Sequence, residues 1–141
     1  MYAVIISVLL IFISVGFGGK DKPVFGDEIN EIMNIIHNEC VSKTKVAEED
    51  ITNCENGIFK DDVKLKCYMF CVVEELNLVD DNNEVDYEML ISLFPEQYQK
   101  RALSLVESCK HLDMKEKESC QRVFDIHKCS YAVDPDFYFI F

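Results

Sequence analysis

The chain has 141 residues, of which 49% are apolar, and 26 acidic side chains against 14 basic ones leave a net charge of −12. This length suggests one domain. The acidity argues against nucleic acid or an anionic membrane surface as a partner.

Met1–Val15 is almost wholly apolar, and Gly16-Phe17-Gly18 places small residues where a signal peptidase needs them. The apolar core Ala3–Val15 is too short for a membrane span of about 20 residues. The pattern predicts a signal peptide over 1–18, with a secreted, extracellular domain over 19–141 that does not insert in a membrane after cleavage. All seven cysteines follow the leader. In an oxidising compartment they predict a disulfide framework with one thiol left over.

The periodicity then reads as six helices in one all-α domain. Asp27–Val41 carries Ile29, Ile32, Met33, Ile36 and Cys40 on an amphipathic stripe, with Asp27 and Glu28 at the favourable N-terminal end. Ala47–Asn53 is short and acidic, and the Glu55-Asn56-Gly57 turn ends it. The central stretch Asp61–Asn82 holds Cys67 and Cys71 four residues apart, about 400° around a helix, so both thiols leave from nearly one face. Asp61 or Asp62 can cap its start. Tyr87–Phe94 is stopped at Pro95. Glu96–Leu112 places Tyr98, Ala102, Leu105, Val106 and Cys109 on one stripe. Asp113-x-x-Glu116 has the form of a capping box and is expected to open the last helix, which runs to about Tyr131. Asp134-Pro135 ends it and leaves an apolar tail over 134–141, "DPDFYFIF".

Leaving out Cys54, the cysteines run Cys40-x26-Cys67-x3-Cys71-x37-Cys109-x10-Cys120-x8-Cys129. Cys120 and Cys129 face opposite sides of one helix, about 900° apart. Spacing leaves 15 pairings open, and geometry disfavours bridges within one helix. No HExxH motif, nucleophile elbow or glycine-rich phosphate loop accompanies His37, His111 and His127. Asp80–Asp86 lacks the spacing and glycine of an EF-hand. The sequence therefore points to no catalytic residue, metal or cofactor, and to a protein that is not an enzyme.

The x3 and x8 gaps, together with "KLKCYMFC", "LVDDNNEVDYEML", "LFPEQYQKRAL" and "HKCSYAVDPDFYFIF", resemble the insect odorant- and pheromone-binding proteins over essentially the whole domain. That resemblance implies six helices around an apolar cavity and the bridges Cys40–Cys71, Cys67–Cys120 and Cys109–Cys129. It implies a carrier that takes a small apolar ligand through aqueous lymph, sensillum lymph in an olfactory setting, and delivers it near an odorant receptor. Composition agrees, since ten Phe and six Tyr exceed what a minimal core needs. The alternative is a secreted signalling or interaction protein on the same scaffold, with Cys54 either free or bridging a homodimer.

The resemblance also places the ligand walls on Leu90, Phe94, Tyr98, Ala102, Leu103, Leu105, His127, Tyr138 and Phe139. Where many members carry an aromatic after the last cysteine, this chain has Ser130. The tail is too apolar to float in water, and the resemblance folds it over the cavity with Tyr138 near His127. The expected pH switch joins His37, His127, Tyr138 and Phe141. His37 is expected to hold the terminal carboxylate, while burial is expected to keep His127 neutral, so that acidification opposes the closed cavity. Ligand affinity is then expected to fall from pH 7 to pH 5.

Overall fold

The computed structural model describes residues 21–141, so the expected signal peptide lies outside the described residues. Six α-helices follow in order: α1 (Asp27–Thr44), α2 (Glu48–Cys54), α3 (Val63–Glu75), α4 (Tyr87–Ser92), α5 (Glu96–Cys109) and α6 (Ser119–Val133). A single 3₁₀ turn, Lys110–Leu112, follows α5. Among the described residues there is no strand, only an isolated antiparallel bridge between Val79 and Val85. No described helix is long and apolar enough to cross a membrane.

α3 is the element on which the others are assembled, packed against both α6 and α1. Asp62 caps it, accepting from the Lys64 amide at 2.7 Å. Leu65, Tyr68, Met69 and Cys71 are its buried residues. The helix stops at Glu75, well before the Asp80-Asp81 run, because Asn77 turns into the left-handed region at φ 55°. The loop that follows uses Asp80 as its own brace, with Oδ1 accepting from the amides of Asn82 and Glu84 at 2.9 Å each.

α1 runs three residues beyond its expected end. Nothing breaks it before Lys45, which turns left-handed at φ 59° and donates its amide to Val41. Its buried stripe is narrower than the periodicity suggested. Met33, Ile36 and Cys40 are buried, but Ile32 is 41% exposed. Gly57 closes the turn after α2 at φ 77°, and a Cβ there would lie 2.4 Å from the Tyr131 ring, so the turn needs both the conformation and the missing side chain.

The start of α6 differs from the expectation. Asp113 and Glu116 do not open it. The helix begins at Ser119, and the Glu118 side chain accepts from the amides of Cys120 and Gln121 at 3.1 Å each. Asp113 serves a tertiary role instead. It accepts from Arg122 at 2.5 Å and from the Tyr87 hydroxyl at 2.6 Å, tying the α4 entrance to α6.

The three bridges are Cys40–Cys71, Cys67–Cys120 and Cys109–Cys129. They join α1 to α3, α3 to α6, and α5 to α6, so the two thiols of α3 tie it to two different helices. Cys54 is left free and is wholly buried. Its Sγ donates to the Asp50 carbonyl at 3.3 Å, and burial, with Asp50 nearby, pushes the thiol up to about 11. A thiol so placed is neither accessible to a second chain nor ionised near neutrality. Non-reducing electrophoresis of wild type and Cys54→Ser should therefore show the same monomer band. A dimer band that disappears in the variant would contradict this placement.

Candidate functional site

α3, α4, α5, α6 and the tail surround a cavity of about 190 Å³. Its walls are almost wholly apolar. α3 contributes Met69, Val72, Val73 and Leu76; α4 gives Leu90 and Ile91; α5 gives Ala102, Leu105 and Val106. α6 adds Val123, Ile126, His127 and Ser130, and every residue from Phe137 to Phe141 reaches the wall. A core of this chain length would collapse on such a space if its helices were free to shift. Three cross-links oppose that movement.

The tail is aimed inward by a local device at the end of α6. Pro135 cannot continue the helix. The amide of Tyr138 returns to the Asp134 carbonyl at 2.9 Å, and the Asp134 carboxylate is held by Arg101 of α5 at 2.6 and 2.8 Å. Arg101 also lies over the Phe137 ring, 4.6 Å from its centroid. Phe137 is 0% and Tyr138 3% exposed. Phe59 and Tyr131 back the Tyr138 ring at 5.8 and 5.6 Å. Its hydroxyl then meets His127 Nδ1 at 2.9 Å, with the rings edge to face. Burial lowers the His127 pKa to about 4, and burial likewise pushes the Tyr138 phenol above its ordinary value.

Of the residues assigned to the ligand walls by resemblance, Leu90, Phe94, Ala102, Leu105, His127, Tyr138 and Phe139 line this cavity. Tyr98 and Leu103 do not. Tyr98 lies behind the wall, 5.9 Å from the Phe137 ring, and Leu103 is 44% exposed on the outer face of α5. The reason is angular: Leu103 follows Ala102 directly, and successive residues on a helix diverge by about 100°.

His37 and Phe141 meet indirectly. The Tyr68 hydroxyl donates to the main-chain oxygen of Phe141, and His37 stands behind Tyr68, Nδ1 to hydroxyl 2.6 Å. The expected direct contact from His37 is thus replaced by a relay through Tyr68. His37 Nε2 faces the Glu48 carboxylate at 3.0 Å.

Two contributions were not legible as site residues in the sequence. The cavity face of α3 reads only as core periodicity. Phe25, before α1, packs against Phe94, Phe139 and Phe141 at 5.4, 5.3 and 5.4 Å and so covers the tail from outside. Its only signal is an isolated aromatic in a polar leader to α1. Among the described residues, the tight group of metal-type donors is Cys67, Glu118 and Cys120. Both sulfurs are bonded to each other and Glu118 is the α6 cap, so the group offers no ligand set.

Comparison with known proteins agrees with this geometry. Residues 24–133 match the PBP/GOBP family. General odorant-binding protein 69a of Drosophila melanogaster is 29% identical over 99 residues, which is 70% of this chain and 66% of that relative. The chain thus spans just under two thirds of that relative's length. The crystal structure of odorant binding protein 4 from Chrysopa pallens superposes with a TM-score of 0.71 at 29% identity, covering 83% of this chain and 98% of that one. An odorant binding protein of Locusta migratoria gives 0.70 at 26% identity, covering 83% and 88%.

Proposed function

Because the chain belongs to the PBP/GOBP family, we propose that it is a secreted carrier that reversibly buries one small hydrophobic molecule in its central cavity and moves it through aqueous lymph. The observation that carries this reading is the apolar space of about 190 Å³ enclosed by four helices and the tail. Burying an apolar ligand there removes its surface from water at about 25 cal/mol per Å². Orientation is left to few polar groups. Ligand contact is assigned to Leu90, Phe94, Ala102, Leu105, His127, Tyr138 and Phe139, joined by Met69, Val72, Val73 and Leu76 from α3. A neutral fluorescent apolar probe should bind saturably at one site and be displaced by volatile or lipid-like competitors. Failure of every apolar probe to bind would remove the reading.

The tail geometry supports a pH-sensitive closure within the same proposal. His127 is neutral in the closed form, with a pKa of about 4. An opened tail would return it to about 6.5. A depressed pKa stabilises closure fully above about pH 6.5 and progressively less as pH falls toward 4. Between pH 7 and pH 5 closure loses roughly 2 kcal/mol. The groups facing the His127–Tyr138 pair include Glu55 and Cys54, which act on Tyr138, and Lys110 across the cavity. Affinity should therefore fall at least several-fold from pH 7 to pH 5, with about thirtyfold as the ceiling set by the loss of closure. Titration of the probe at both values measures it, and equal affinities would show the tail to be a static wall.

A further inference from the structure

The cavity's polar side chains are few, and their hydrogen bonds can be followed one by one. The Tyr87 hydroxyl donates to Asp113 at 2.6 Å, and the Tyr68 hydroxyl donates to Phe141. The Ser130 hydroxyl donates to the Ile126 carbonyl at 2.8 Å. Lys110 touches the cavity but is an exposed residue, whose ammonium is best hydrated by water. The Tyr138 hydroxyl and His127 Nδ1 are each other's partner. His127 Nε2 has no hydrogen-bond partner among the described residues. No side-chain polar atom sealed away from space lacks a partner, so Nε2 keeps contact with open space, and the space beside this ring is the cavity.

Which hydrogen His127 carries follows from its neighbour. Tyr138 Oη has the one partner, Nδ1, among the described residues. Were Nδ1 protonated, the phenol hydrogen would be buried without an acceptor. A phenol is also the stronger donor of the two. Tyr138 therefore donates to a bare Nδ1, and the single hydrogen of the neutral imidazole sits on Nε2. The ring thus presents an N–H donor to an otherwise apolar space.

We propose that His127 Nε2–H is the specificity-determining donor of the cavity, and that the carrier takes apolar molecules with one hydrogen-bond-accepting carbonyl oxygen, as in a ketone, aldehyde or ester. This rests on the carrier reading above and narrows it. A carbonyl entering the cavity gives up its bond to water and regains one at Nε2. A cationic amine would set donor against donor. An alcohol can accept the same bond but must then find an acceptor for its own hydrogen.

The test uses a matched pair, acetophenone and α-methylstyrene, which differ by an oxygen in place of a methylidene group. Both are measured by displacement of a neutral anilinonaphthalene probe from wild type and from the double variant His127→Phe with Tyr138→Phe. Wild type should bind the two within a few-fold, because Nε2–H replaces the water that the carbonyl loses. In the double variant, which leaves no stranded phenol, acetophenone should lose roughly tenfold more affinity than α-methylstyrene. A second measurement needs no variant: the isotope-labelled carbonyl stretch of acetophenone bound to wild type should lie below its position in an alkane solvent. Parallel changes for the two ligands, or an alkane-like carbonyl stretch, would overturn the proposal while leaving the carrier reading intact. Failure of both molecules to displace the probe from wild type, with the probe itself failing to bind, would overturn the two together.

Discussion

A variant ending at Pro135 should bind an apolar ligand at least about a hundredfold more weakly than the full chain, a loss of about 2.7 kcal/mol. The segment removed carries five lining residues, Phe137 to Phe141. Fully burying a large apolar side chain is worth about 1.5–3 kcal/mol. Phe137 and Tyr138 are both all but inaccessible, so the truncation opens the cavity to water along one whole side. It also strips the cover from Phe94, whose ring stacks on Phe137 at 6.0 Å. The helices should remain assembled, since the tail takes no part in the three bridges. Thermal unfolding followed beside probe titration separates the two effects. Cooperative unfolding with lost binding is the expected result, and binding within a few-fold of the full chain would reduce the tail to an external strap.

Asp113→Ala should destabilise the fold by about 3–5 kcal/mol, measured by chemical denaturation. Arg122 is 4% exposed, and its guanidinium is held by Asp113 at 2.5 Å and by the Asn83 carbonyl at 3.0 Å. Removing the carboxylate leaves a buried cation short of its counter-charge and the Tyr87 hydroxyl without its acceptor. Because Tyr87 lines the cavity, ligand binding should weaken as well. The double replacement Asp113→Leu with Arg122→Met should recover much of the stability, as apolar exchanges of whole buried pairs often do. A loss below about 1 kcal/mol in the single variant would show the pair to be dispensable.

What the sequence made legible was the part of the fold governed by local spacing. Cys67 and Cys71, four apart on one helix, require two different partners, and α3 indeed reaches α1 and α6 through them. The choice among pairings came from resemblance, since spacing alone leaves it open. The apolar tail after Pro135 was legible as a segment that must find cover, and it found the cavity wall. Asp113 was misread because a carboxylate before a helix has the same local pattern whether it caps an amide or accepts from a distant arginine. Only the fold brings Arg122 and Tyr87 to it. Met69, Val73 and Leu76 line the cavity, but helical periodicity cannot tell a neighbouring side chain from an empty space. Tyr98 and Leu103, assigned to the walls by resemblance, lie off this cavity, since resemblance along a helix does not say which side chains reach the space inside. The relay from His37 through Tyr68 to Phe141 joins three distant segments, and no spacing within any one of them encodes it.

The central claim is that the ligand lies inside the cavity between α3, α4, α5, α6 and the tail. Ala102 is the smallest side chain on its wall and is 3% exposed, so Ala102→Trp fills the space from a helix that already faces it. Calorimetric titration of wild type and Ala102→Trp with one apolar ligand tests the claim most directly. Wild type should bind one molecule per chain, and the filled variant, with its unfolding temperature kept, should bind at least about a hundredfold more weakly. Equal affinity and stoichiometry in the two proteins would place the ligand elsewhere and contradict the account.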